Sequence, residues 1–137
     1  MPTGSCLCQT VRYQYEGSPV KKALCHCLTC RKLCGSASTN LLIPADKFHL
    51  KSGSLKNHHV DHESGMQLTT AFCDTCGVQV YKTGDRPEFE GMIILNAGTV
   101  DDAASYNKMA PDAELYMKHR AEWRPPLAYA AQKKTFD

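Results

Sequence analysis

The chain has 137 residues, 42% hydrophobic and 22% charged, and its 16 basic and 14 acidic side chains leave a formal charge of +2. That is the composition of one ordinary globular domain, and it excludes the strongly basic footprint of a nucleic-acid binder. No run approaches the ~20 continuous apolar residues of a membrane span, and Met1 to Thr10 has neither a basic start nor an apolar core. A cytoplasmic chain is expected, where thiols stay reduced and the eight cysteines read as metal ligands ahead of disulfides.

Taken in chain order, the punctuation is that of a β-rich protein. In "QTVRYQYE" (Gln9 to Glu16), Val11, Tyr13 and Tyr15 alternate with polar residues, the pattern of a half-buried strand ended by Gly17-Ser18-Pro19. Lys22 to His26 reads as the next strand and Leu28 to Leu33 as one or two helical turns. Ala37 to Ile43 is a strand stopped by Pro44, and Phe48 to Lys51 a short one. Leu55 to His59 and Met66 to Phe72 flank "DHESG", a hairpin loop. Val78 to Lys82 alternates again, and Met92 to Ala97 is continuous enough for a buried strand. Glu114 to His119 is read as a strand, and Trp123 as a core edge. With no repeat and no linker, the expectation is one domain over 1–137, its core at about 4–123 and an irregular tail at 124–137, built from eight to ten short strands.

The cysteines form three clusters: Cys6-x-Cys8, Cys25-x-Cys27-x-x-Cys30 with Cys34 beyond, and Cys73-x-x-Cys76-Gly77. A Cys-x-x-Cys-Gly turn is a zinc half-site, two thiolates on one tetrahedral ion at about 2.3 Å each, with glycine free to take a positive φ behind it. Cys6 and Cys8 can complete it as a closed four-cysteine site. Cys25, Cys27 and Cys30 then cap one face of a second tetrahedron, whose last corner is either filled by Cys34 or left open to water or substrate. A redox role for Cys73 and Cys76 lacks a preceding βαβ pattern. Cys34 outside the metal site reads as a small buried hydrophobe. His26, between two ligands on extended chain, faces away from them and reads as a packing or hydrogen-bonding residue.

Five stretches in order, "GSCLCQTVRYQ" (Gly4 to Gln14), "CHCLTCRKLCGS" (Cys25 to Ser36), "FCDTCGVQVY" (Phe72 to Tyr81), "NAGTVDD" (Asn96 to Asp102) and "PDAELYMKHRAEW" (Pro111 to Trp123), resemble the glutathione-dependent formaldehyde-activating enzyme family, which includes the centromere protein V relatives. The resemblance implies a mainly β fold, antiparallel sheets in a zinc-pinned β-tent with one or two short helices. It implies a structural zinc at Cys6, Cys8, Cys73 and Cys76 and a functional zinc at Cys25, Cys27 and Cys30, with Cys34 outside both. It also implies a carbon–sulfur lyase of the S-hydroxymethylglutathione synthase type, with a small thiol or thioether as partner and glutathione the candidate. Charge and hydropathy point to no nucleic-acid or membrane partner, and a homodimer is a candidate assembly.

Three sulfur ligands make a poor generator of hydroxide, for which histidine and carboxylate ligands are commoner; sulfur is soft and suits thiolate exchange. A free thiol with pKa about 8.5 is only a few per cent ionised at pH 7, and a metal removes that barrier. Arg31 and Lys32 read as a solvated helix face, and His58, His59 and His62 as solvated loop histidines, with a general base or metal ligand as the sharper alternative. Asn96, Gly98 and Asp101 are candidates to line the cleft, Gly98 serving its turn. The alternative function is a non-catalytic, zinc-stabilised binding or scaffold module. A chromatin role finds no basic tract beyond Lys133-Lys134.

Overall fold

Strand β2 (Arg12–Tyr15) shows how the sequence pattern becomes a core: Tyr13 and Tyr15 are buried while Arg12 and Gln14 face outward, as the two-residue period of a strand requires. In the computed structural model, which describes residues 1–137, β2 lies between β1 (Thr3–Ser5) and β5 (Phe48–Ser52) in a small antiparallel sheet. Gly4 sits opposite Tyr13, and a Cβ there would meet the tyrosine ring at 2.1 Å, so glycine is what lets β1 approach the ring.

The second sheet has eight strands. Along it run β11 (Ala131–Gln132), β10 (Ala113–Leu115), β3 (Lys21–Cys25), β4 (Ser38–Pro44), β9 (Met92–Asn96), β8 (Gln79–Gly84), β7 (Gln67–Cys73) and β6 (Leu55–Asp61). Two short helices, α1 (Leu28–Cys34) and α2 (Ala103–Asn107), complete the chain's regular elements apart from single 3₁₀ turns. No helix is long and apolar enough to cross a membrane. The fold is mainly β, with the sheets antiparallel except at one edge, where β10 runs parallel to both β3 and β11. The exception arises because the chain leaves β9 through α2 and re-enters at the far edge in the direction of β3.

The core fills the space between the sheets. Val11, just before β2, and Tyr13 and Tyr15 from the small sheet meet Leu41, Ile43, Val80, Ile93 and Leu95 from the large one. Phe48 bridges Tyr13 and Tyr81, with ring centroids 5.0 and 5.3 Å away, and the Tyr13 hydroxyl is satisfied by Thr99 Oγ1 at 2.7 Å. The opposite face of the large sheet is different in kind. Residues paired directly across a ladder share a face, and Leu42, Ile94, Lys82 and Thr70 form one such row across four strands.

Beyond Trp123 the structure departs from the irregular tail read in the sequence. This segment forms β11, the eleventh strand and one beyond the predicted range. Its organiser is Glu114, only 1% exposed. One carboxylate oxygen lies 2.7 Å from His26 Nε2; the other accepts from the Leu127 amide, Gln132 Nε2 and Arg120 Nη2. The predicted strand at Glu114 to His119 is real only to Leu115: Tyr116 takes a left-handed φ of 52° and a 3₁₀ turn follows at Met117–His119. Trp123 is 81% exposed and is no core edge; the aromatic residue that packs inward from this segment is Phe136.

Burial alone would raise the Glu114 carboxyl, but the hydrogen bonds from Gln132, His26 and Leu127 hold it down to about 2. A depressed carboxylate stabilises the fold above its unfolded pKa and loses that contribution as pH falls toward 2. At pH 7 the contribution is whole. Glu114→Ala should therefore cost about 3–5 kcal/mol, the usual penalty for orphaning buried polar partners, read as a lowered urea midpoint at pH 7; an unchanged midpoint would show that the tail is not anchored there.

Candidate metal centres

The first centre joins the start of the chain to its middle. Cys6 follows β1, Cys8 lies in the next turn, Cys73 ends β7 and Cys76 sits in the tight turn behind it. Their four sulfurs lie within 4.8 Å of one another, with Cys6–Cys8 and Cys8–Cys73 separations of 3.6 and 3.7 Å. A tetrahedron of sulfurs about 2.3 Å from a central ion has edges of about 3.8 Å, so this set fits a metal. Backbone amides point at the sulfurs: Val11 N–H at Cys6, and Thr75 and Cys76 N–H at Cys73. The Thr10 hydroxyl and those amides hold the Cys73 thiol down to about 5. Gly77 closes the turn with φ 78° and donates to the Cys73 carbonyl, the role read for it in the sequence.

The second centre is built at the end of β3 and the start of α1. Cys25 is the last residue of the strand, Cys27 is the helix N-cap and accepts from the Cys30 amide at 3.3 Å, and Cys30 lies in the first turn. All three are buried, and their sulfurs lie within 4.8 Å of one another. Cys34 is outside this set and exposed, so the reading of it as a buried hydrophobe is corrected: it lies at the C-terminal end of α1, where Gly35 caps the helix with φ 76°. Glu63 steadies the other end, accepting from the Leu28 amide at 3.2 Å while its second oxygen meets His119 Nε2 at 2.9 Å. His26 faces away from the sulfurs toward Glu114, as its extended backbone implies.

Lys82 is the residue that sequence reasoning missed here. It is 2% exposed, and its Nζ lies 3.3 Å from Cys30 Sγ. Burial alone would discharge the ammonium, but the Cys30 thiolate beside it, with Cys25 further off, leaves it above the ordinary lysine range. Hydrogen bonds from Cys25 and Cys27, then Lys82, hold Cys30 well below the usual thiol value; Cys25 is pushed far up by the hydrogen bonds it shares with Cys27 and Cys30. One ammonium offsets one thiolate. If all three were thiolates, a further dication would be needed beside Lys82, and the donor set suits a soft or borderline metal.

A cavity of about 60 Å³ is lined by all three of these cysteines and by Lys82. Most of the rest of its wall is apolar, including Leu68, Phe89 and Phe136. His62 also lines it, 4% exposed, its ring stacked on Phe136 at 5.3 Å and edge-on to Tyr116 at 5.4 Å. His58 and His59 are solvated, as read, but stand on strand β6 and not in a loop; His62 is in the loop and is buried, so there the solvated reading fails. Arg31 and Lys32 are exposed, as expected. A second, wider cleft of about 800 Å³ is lined by Cys34, Asn96 and Gly98 among others; Asp101 is elsewhere, accepting from Ser5 Oγ at 2.5 Å.

A mainly β chain with two separate cysteine clusters, each able to hold a metal ion, defines a class of two-centre β proteins. The sequence model of the family described as glutathione-dependent formaldehyde-activating enzyme matches residues 1–119, and the chain belongs to that family. No curated protein matches it significantly. Among solved structures, a Rhodobacter sphaeroides protein determined by structural genomics is similar at a TM-score of 0.57, with 17% identity over 75% of this chain and 93% of that one, which establishes a shared fold. The segment that supplies β11 and Phe136 lies beyond the family match.

Lys82→Met should weaken metal binding at the second centre by about 10- to 100-fold, the range for lost outer-shell support, and leave the four-cysteine centre unchanged. Competition against a chromophoric chelator, resolving two metal equivalents, reads both; equal weakening at the two centres would contradict a local role for Lys82.

Proposed function

We propose that the chain binds two zinc ions, a structural one at Cys6, Cys8, Cys73 and Cys76 and a functional one at Cys25, Cys27 and Cys30, and that it acts as a carbon–sulfur lyase on the adduct of a small thiol with a small aldehyde. The thiol is of the glutathione type and the aldehyde formaldehyde or close to it, as the family description suggests. The observation that carries the reading is the cavity lined by all three cysteines of a three-sulfur cluster, whose fourth tetrahedral corner no other cysteine fills. Zinc, when bound there, supplies a position at which an incoming thiol gives up its proton.

The chain's own residues do the rest. Lys82 offsets the negative charge that three thiolates leave over a dication, so the pocket does not repel an anionic sulfur. The apolar walls around Phe89 and Phe136 keep water from competing with the electrophile. Holding sulfur and carbonyl carbon side by side lends the proximity advantage of an intramolecular reaction. The cavity's size restricts the electrophile to a few heavy atoms.

The test is exchange between free glutathione and its formaldehyde adduct, followed by NMR because the uncatalysed equilibrium is the reference. The wild-type protein should accelerate exchange and carry two zinc equivalents. Cys30→Ser should lose one equivalent and the acceleration; Cys34→Ser should keep both zinc ions. A two-zinc wild-type protein that leaves the exchange rate at its background value would return the scaffold reading instead.

A further inference from the structure

His62 belongs to the loop between β6 and β7, and that loop fixes its chemistry. The loop closes with His62 N–H on the Met66 carbonyl and Gly65 N–H on the His62 carbonyl, each at 2.9 Å. The Ser64 amide N–H donates to His62 Nδ1 at 3.1 Å. The Ser64 hydroxyl lies 2.8 Å from the same nitrogen and itself accepts from the Met66 amide at 3.3 Å, so its own proton is free to go to Nδ1. Nδ1 is therefore an acceptor. Burial lowers the imidazole below its ordinary value and keeps it neutral at pH 7. A neutral ring that accepts at Nδ1 carries its proton at Nε2.

That Nε2–H is buried and has no partner. Buried donors without acceptors are rare in native structures and call for an explanation. Of the buried polar side-chain atoms without a partner, this is the one whose residue lines the cavity beside Cys25, Cys27 and Cys30. The rings of Phe136 and Tyr116 hold the imidazole in place, while the nearby cation, Lys82, is engaged with Cys30.

We propose that His62 is a catalytic residue of this cavity, its Nε2–H donating a hydrogen bond to the carbonyl oxygen of the small aldehyde. The role rests on the lyase reading above. As the thiolate sulfur forms its bond to the carbonyl carbon, the π pair moves onto oxygen, and the donor meets the negative charge that develops there. The alkoxide takes a proton from solvent water at the pocket mouth as the adduct leaves, and His62 keeps its own. In the reverse direction the hydroxymethyl adduct loses that proton, the carbon–sulfur bond breaks and the same donor faces the re-forming carbonyl. The histidine acts as a neutral electrophile, not as the general base or metal ligand considered from the sequence.

Two measurements test this on the zinc-loaded protein. In glutathione–formaldehyde exchange, His62→Phe should lower kcat about 100-fold, the usual loss on removing one such donor, with the KM for thiol and the zinc content unchanged. His62→Gln, which restores an N–H, should recover much of the loss. A donor serving only the cysteine sulfurs would instead change zinc affinity, and an unaltered kcat in His62→Phe overturns the proposal. Long-range ¹H–¹⁵N NMR of the wild-type protein should show His62 protonated at Nε2 alone, with that signal shifting on titration with formamide, a small carbonyl probe. A proton at Nδ1, or no formamide shift, overturns the proposal even if the variants fold poorly. If the wild type proves inactive the lyase reading falls, and the formamide titration still decides whether His62 receives a small carbonyl.

Discussion

The structure depends on what it takes to keep several thiolates close together away from water. Each buried negative charge must be met by a positive one or by a ring of donors. At the four-cysteine centre the donors are backbone amides and the Thr10 hydroxyl. At the three-cysteine centre they are scarcer, and Lys82 takes their place. A metal bound at each centre would make it a cross-link, one tying Cys6 and Cys8 to the end of β7, the other tying β3 to α1. A metal in each would stabilise the fold by as much as its binding favours the folded over the unfolded chain.

The two centres differ in what surrounds them. The first is a knot of turns whose four sulfurs can supply all four corners of a tetrahedron. The second lies on the face of the large sheet turned away from the main core, beside a small cavity with apolar walls. Its roof comes from a distant part of the chain. Phe136 stacks on His62 and packs edge-on against Phe89 and Tyr116, and it is held there because Glu114 ties Leu127 and Gln132 to the strand beside Cys25. The carboxylate that orders the tail is the same one that orients His26, between Cys25 and Cys27. Tail, helix and thiol cluster are thus mechanically one unit.

Much of this was legible in the chain itself. The alternation of Val11, Tyr13 and Tyr15, the turn residues between strands and the spacing of the cysteine clusters are local signals, and local signals set strand identity, hairpin position and chelating turns. The side chains that complete the second centre carry no such signal. Lys82 looks like a surface lysine in "VYKTG"; it is buried because the register shift of β8 against β7 turns Val80 to the main core and Lys82 to the opposite face. A polar tail with two prolines looks irregular, yet a buried glutamate more than ten residues upstream recruits it.

By itself, then, the sequence determined most of the strands, the half-sites and the candidate metal ligands, because each depends on residues a few positions apart. Which thiols meet, which cation neutralises them, and that His62 rather than His58 or His59 faces the cavity were decided only when the sheet closed, because those contacts join residues dozens of positions apart and follow from register, crossover direction and burial.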